Sequence, residues 1–390
     1  EARDLLRAAA QKLGGRAELQ LLFAFVEHQR YLRTRAKEAA MEAVGHYQLA
    51  LDLARELPRA RATALEGLAL VQAAVGNHAL AIGWFTERDR MPWSETSTGR
   101  AAEMRHRLEK ARSLFHLDRD RQAVVEIDAC VGIAAGTPDL QRFLAPVLDR
   151  AALYHLSAGD AKGALALYDR LVPMVDAQKG PDAAHDRFTA RLGRAAAALG
   201  AKEFDRTIAD LDAIEPRAAD PAIFPTEKVR ESERLILIGL RAGAEAGLGH
   251  FDEAITTLAR RRDLLAARYE KTRVDEDRLE LALAEARLAD LFHRKKDDAG
   301  ALRHLEAALD HSDAWSRSTG TALHELGLAL LAGYAELHLQ AGVPLGDFQL
   351  RASTTPLADL LLHVALRVVS LERPPRRPLL RTCSGEQWPP

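Results

Sequence analysis

Gly249-His250-Phe251-Asp252-Glu253-Ala254-Ile255, followed by Leu258, is the stretch on which the fold turns. A glycine ahead of a polar residue ends one helix, because glycine accepts the left-handed backbone of a C-cap, and the polar step opens the next helix. The alanine after the turn belongs where two helices touch, since a larger side chain would push them apart. Ile255 beside it and Leu258 four positions beyond it fall on the same helix face and form a core seam.

The same phrase recurs with drift. Gly76-Asn77-His78 precedes Ala81-Ile82 and Phe85, and Gly159-Asp160 precedes Ala164-Leu165 and Tyr168. Asp297-Asp298 precedes Ala301-Leu302 and Leu305. Weaker copies are Asp118-Arg119-Asp120 with Ala123-Val124 and Ile127, and Glu203-Phe204 with Thr207-Ile208 and Leu211. An early copy shows only its second helix, as Ala43-Val44, Tyr47 and Ala50-Leu51. The small residues Ala43, Ala81, Ala123, Ala164, Thr207, Ala254 and Ala301 are separated by 38, 42, 41, 43, 47 and 47 positions, and this near-regular spacing is the mark of a repeat array. Pro58, Pro92, Pro138, Pro173 and Pro216 punctuate it, each expected just beyond a second helix. Between Pro225 and Pro344 there is no proline, which predicts the longest helices there, such as 227–248 and 276–294.

The Gly-x-Phe-x-x-Ala-Ile-x-x-Leu string at 249–258 resembles the turn and second helix of a tetratricopeptide (TPR) repeat, and the likeness covers about 24–315, with a further helix expected at 323–341. The spacing exceeds the usual unit of about 34 residues and is similar to that of the long-helix variants in bacterial regulators and kinesin light chains. The resemblance implies an all-α, right-handed superhelical solenoid of about seven antiparallel helix pairs. It also implies that the first helix of each pair lines a concave groove in which a protein or peptide binds. Carried onto this chain, that frame turns His28, Leu32 and Arg35 toward the groove, then Arg105, Arg112 and Phe115, then Asp290, His293 and Arg294. Arg112 beside Phe115 is the pair best suited to a peptide, a guanidinium fork for a carboxylate next to a ring for a side chain. The Lys/Asn set with which chaperone-binding TPR proteins clamp a terminal carboxylate is absent.

Composition agrees with helices. Hydrophobic residues make up 47% of the 390 but aromatics only 5%, so the apolar content is mostly small and aliphatic, where a β-sandwich would need more aromatic and β-branched side chains. A formal net charge of −2 argues against a nucleic-acid partner for the whole chain, since that binding rests on neutralised phosphates. The two cysteines, Cys130 and Cys383, do not suggest a structural bridge, and a reducing, cytoplasmic setting is expected. The stretch 357–371 is too short and too charged to span a bilayer, and no leader is visible at residues 1–20. Three parts are expected: a repeat array over 1–345, a capping helix within 346–372 that could also serve self-association, and a Pro/Arg-rich tail over 373–390.

No phosphate loop, nucleophile elbow, dinucleotide fingerprint or Cys-x-x-Cys occurs, and no catalytic residue, cofactor or metal is expected. The 14 histidines are read as surface or turn residues, His106 and His116 among them. The basic run Arg260-Arg261-Arg262 with Arg268, Lys271 and Arg273 is followed by Asp275, Glu276 and Asp277, and reads as a self-compensated surface. The functional expectation is a non-enzymatic interaction scaffold. The alternative is a ligand- or peptide-sensing segment of a larger signalling protein.

Overall fold

A computed structural model describes residues 16–319 apart from Pro181. Among the described residues the secondary structure is entirely helical. Fourteen α-helices are numbered here in chain order: α1 Ala17–Thr34, α2 Lys37–Leu53, α3 Pro58–Ala74, α4 His78–Asp89, α5 Ser97–His116, α6 Asp120–Gly136, α7 Leu144–Ser157, α8 Ala161–Asp176, α9 Ala183–Gly200, α10 Phe204–Ile214, α11 Glu227–Gly247, α12 Phe251–Thr272, α13 Asp275–Arg294 and α14 Asp298–Thr319. Taken two by two they are seven hairpins. The chain divides between Met174 and Val175 into two compact units.

One turn builds the hairpins. Gly76, Asp118, Gly159, Lys202, Gly249 and Lys296 all have positive φ, between 56° and 87°. The residue after each donates its N–H back five positions: Asn77 to Gln72, Arg119 to Leu114, Asp160 to His155, Glu203 to Ala198, His250 to Glu245 and Asp297 to Phe292. This is the Schellman closure, which satisfies carbonyls that the ending helix leaves without partners. The carbonyl of that same residue then accepts the N–H of the small residue four positions on, at Ala81, Ala123, Ala164, Thr207, Ala254 and Ala301. All six side chains are fully buried. Thr207 fits because its hydroxyl donates to the carbonyls of Ala195 and Glu203, so its polar atom is satisfied.

The first hairpin corrects the sequence register. Its left-handed residue is Arg35 (φ 57°), and the equivalent small residue five positions on is Ala40, one helical turn before Ala43. Both alanines are buried, which is why the periodicity did not separate them. Arg35 caps α1 with a single bond to the Tyr31 carbonyl. The same device recurs at the end of α12, where Arg273 caps onto Tyr269. In each case a threonine one position earlier donates to an arginine carbonyl four residues back, Thr34 to Arg30 and Thr272 to Arg268. In each the capping guanidinium lies over the tyrosine ring, at 5.7 and 5.3 Å. The strings Arg30-Tyr31-x-x-Thr34-Arg35 and Arg268-Tyr269-x-x-Thr272-Arg273 are thus one capping motif used twice.

Inside the amino-terminal unit, α1 to α3 share a core of Ala24, Tyr31, Ala39, Ala43, Tyr47, Leu68 and Val71. Gly67 on α3 is required there, because a Cβ would run into the Tyr47 ring. The carboxy-terminal unit centres on Phe188, Leu211, Ile214, Phe224 and Leu237, with Phe188 and Phe224 edge to face at 4.8 Å. Within each unit the first helices of successive hairpins also touch, α1 with α3 and α3 with α5, and α9 with α11.

The proline-free stretch holds four helices of 20 to 22 residues, α11 to α14, which accounts for the wider repeat spacing there. Pro173 departs from expectation: it lies inside α8, which continues to Asp176. Its ring removes one N–H from the ladder, and the helix ends within a turn. The expected helix at 323–341, the cap within 346–372 and the tail at 373–390 lie outside the described residues.

Two substitutions test the hairpin unit. Gly249→Ala forces a β-carbon into the left-handed region and should cost about 1 kcal/mol. Ala254→Leu overfills a fully buried contact and should cost about 1–3 kcal/mol. Urea denaturation midpoints measure both; an unchanged midpoint for Ala254→Leu would contradict the packing role.

Candidate functional site

The exposed face of the first helix differs from hairpin to hairpin in the amino-terminal unit. On α1 it is apolar, with Leu22, Phe25 and Leu32 exposed. On α5 it is charged, with Arg105 and Arg112 exposed about two turns apart. Arg112 lies 3.5 Å from Glu109, a loose pair one turn back on the same helix. Phe115 is half-buried and stacks on Tyr154 of α7, with ring centroids 4.8 Å apart and planes within 7°. Burial pushes the Tyr154 hydroxyl up to about 12, while Arg150 and Arg112 pull against that rise and Glu109 adds to it. Arg112 and Arg150 therefore both act on one aromatic pair, each one turn ahead of its ring. Arg150 was not picked out from the sequence; its signal is an arginine one turn ahead of an aromatic, four positions before Tyr154 as Arg112 is three before Phe115.

The other expected groove residues fall in different settings. His28 is buried, edge-on to Tyr47, and burial lowers its pKa to about 4. It is therefore a neutral core residue. Arg35 is exposed and engaged as the α1 cap. In the carboxy-terminal unit Asp290, His293 and Arg294 are all exposed on α13. His293 pairs with Asp298 at 2.9 Å, Arg294 reaches Asp290 at 3.8 Å, and its guanidinium lies 5.2 Å from the Phe251 ring. These contacts tie the end of α13 to the two flanking second helices, α12 and α14.

Of the eleven described histidines three, His28, His106 and His155, are interior rather than at the surface, while His116 is exposed as expected. His106 is fully buried and His155 nearly so. His106 Nδ1 lies 2.6 Å from Glu66 Oε2 on α3, and its Nε2 lies 2.9 Å from Asp89 Oδ1 at the end of α4. His155 on α7 joins Asp128 of α6 at 3.1 Å to Asp160 of the α7–α8 turn at 2.7 Å. His78 and His116 stack at 4.3 Å, and both pKa values are lowered, first by burial and then by nearby charge, Arg112 included. The sequence hides these pairings because partners come from different helices, and periodicity reports only apolar faces. Among the described residues no cluster of three or more His, Cys, Asp or Glu is placed to hold a metal ion.

The basic run on α12 is engaged rather than free. Arg261 donates to the Leu235 carbonyl at 3.1 Å and pairs with Glu280 at 2.5 Å, and Arg268 pairs with Asp277. Arg261 and Arg268 are both drawn largely out of water. Among the described residues no helix is long and apolar enough to cross a membrane.

No family model and no curated protein matches the sequence. Solved structures do. The apo form of RapI is 10% identical with a TM-score of 0.54, covering 89% of this chain and 87% of its own. A tetratricopeptide repeat protein from Parabacteroides merdae is 13% identical with a TM-score of 0.47, covering 81% and 99%. TPR-like repeats of a putative kinesin light chain from Podospora anserina are 18% identical with a TM-score of 0.40, covering 55% and 97%. The likeness to RapI is one of fold: an array of antiparallel helix pairs.

The interior chemistry also fixes the behaviour of Cys130. Its thiol donates to the Met104 carbonyl at 3.3 Å, and burial pushes its pKa up to about 12. A thiol rather than a thiolate stands there at neutral pH, so it is a poor nucleophile. Peptide mapping after iodoacetamide at pH 8 should find Cys130 unmodified in the native protein and fully modified in urea. Native labelling at the rate of a free thiol would contradict the burial.

Proposed function

We propose that this TPR-like helical-repeat chain is a non-enzymatic scaffold that binds a protein or peptide along the exposed side of its first-helix row. The observation that carries the reading is the surface over α5 and α7. There Arg112 and Arg150 both act on the Phe115–Tyr154 stack, and Glu109, one turn back on the same helix, holds Arg112 loosely. A guanidinium can take a partner carboxylate in two parallel hydrogen bonds, and a rigid ring beside it can cover an apolar side chain. Arginine and aromatic residues carry a large share of binding energy at protein interfaces. The exposed Leu22, Phe25 and Leu32 on α1 offer further apolar contact area on a first helix. The fold supports the reading too, because stacked helix pairs present long continuous surfaces made of many side chains.

A pull-down tests it, with the full chain as bait and with a double variant, Arg112→Glu with Phe115→Ala. Phe115 is only half-buried, so the double variant should fold, and its far-UV circular dichroism and melting curve verify that. Capture by wild type and loss of at least tenfold in the folded variant is the expected result. A partner retained equally by both would move the binding surface off α5 and α7.

A further inference from the structure

We infer that His106 is a doubly protonated imidazolium sealed in the amino-terminal unit, working as a latch that fastens α5 to α3 and α4 and opens when the proton is lost. Geometry carries the inference. Each ring nitrogen faces a carboxylate oxygen from a different helix, Glu66 Oε2 at 2.6 Å and Asp89 Oδ1 at 2.9 Å. A neutral imidazole has one N–H and one bare lone pair. One of the two contacts would then set a lone pair against carboxylate oxygen, at a site with no solvent exposure. Two N–H donors remove that conflict.

The charged groups around the site come from four helices. Around His106 the carboxylates are Glu66 from α3, Asp89 from α4, Glu103 from α5 and Glu126 from α6. The fixed cations of the same network are Arg88 from α4, and Arg100, Arg107 and Lys110 from α5. Lys110 bridges Asp89 and Glu126, at 2.5 and 2.6 Å. Arg107 bridges Glu103 and Glu126, at 3.0 and 2.9 Å. Arg88 donates to the Met91 carbonyl, and its guanidinium lies 3.5 Å from the Trp93 ring. Arg100 and Glu95 extend the chain outward, and Arg105 and Glu66 act on Tyr47 at its other end. Within this network the two ring nitrogens of His106 are the groups that meet Glu66 Oε2 and Asp89 Oδ1 on the buried side. Phe85 and Trp93 hold the imidazole edge to face, at 4.8 and 5.1 Å, and fix its plane.

The direction of titration follows. Burial opposes charge on His106, but hydrogen bonds to Asp89 and Glu66 outweigh it and raise the pKa above the ordinary 6.5. Asp89 moves the other way: burial alone would raise it, yet the bonds from His106 and Lys110 hold it down to about 2. With a raised folded-state pKa, the stability His106 contributes is fully present below about 6.5 and is lost as pH rises through the folded value. With a depressed one, the Asp89 contribution is present above about 3.8 and is lost as pH falls toward 2. The latch is therefore closed below the ordinary imidazole value of 6.5 and opens as pH rises through the raised one.

Nitrogen-15 NMR of the imidazoles in the intact wild-type protein tests the inference directly, with hydrogen exchange of residues 58–116 from pH 6 to 9, corrected for the intrinsic rate. The His106 ring should show two N–H groups at pH 7 and titrate above 6.5. Protection of α3 to α5 should fall as it does. His106→Gln should remove that pH dependence, and Glu66→Gln, a milder change, should lower the His106 titration point. A neutral His106 at pH 7, or protection of α3 to α5 that stays flat from pH 6 to 9, would overturn it.

Discussion

Each of the seven described hairpins is built on one contact: a residue no larger than threonine, five positions past a left-handed turn, pressed between two helices. Seven turns meet the condition, with Ala40, Ala81, Ala123, Ala164, Thr207, Ala254 and Ala301 in the same place. The turn fixes where the second helix starts, and its N-cap carbonyl fixes where the small residue falls. The bulky residue four positions on is then turned into the seam: Phe85, Ile127, Tyr168, Leu211, Leu258 and Leu305 are all buried. Helix length past that point is free to vary, because nothing in the turn or the contact constrains it. That freedom is why the spacing widens from about 42 to 47 residues without loss of the unit.

A seam built from alanines leaves volume for polar groups between hairpins, and the amino-terminal unit fills it with charge. Buried ion pairs are poor sources of net stability, since desolvation offsets most of their attraction. Removing one partner is costly, however, because it strands the other. The arrangement around His106 therefore specifies how α3, α4, α5 and α6 meet more than it deepens the fold. The surface over α5 and α7 is laid on this fixed base. Glu103, His106, Arg107 and Lys110 face inward or sideways, and Arg105 and Arg112, on the remaining face of the same helix, are left to solvent.

The fold was legible because its determinants are local. Gly249, Ala254 and Leu258 lie within ten residues, and repetition made weak copies readable by comparison with strong ones. The register of the first copy was not, because Ala40 and Ala43 sit one turn apart in an alanine-rich helix and both are buried. On the site, Arg105, Arg112 and Phe115 were legible as one face of one helix. Tyr154 and Arg150 were not, because they reach that face from a helix about 40 residues on. His28 shows the limit of a borrowed frame. The frame turned it outward, but the exposed stripe of α1 runs through Leu22, Phe25 and Leu32. His106 was misread for a related reason: a histidine amid charged residues looks solvated until its partners on two other helices are known.

Residue-resolved native-state hydrogen exchange is the most direct test of the hairpin contact. The amides of Ala81, Ala123, Ala164, Thr207, Ala254 and Ala301 donate to N-cap carbonyls beside fully buried side chains. They should exchange only through large openings, as slowly as the centres of their helices, despite lying in the first turn where helices ordinarily fray. Fast exchange at these six positions, comparable to exposed turn amides, would contradict the claim that this contact holds the array together.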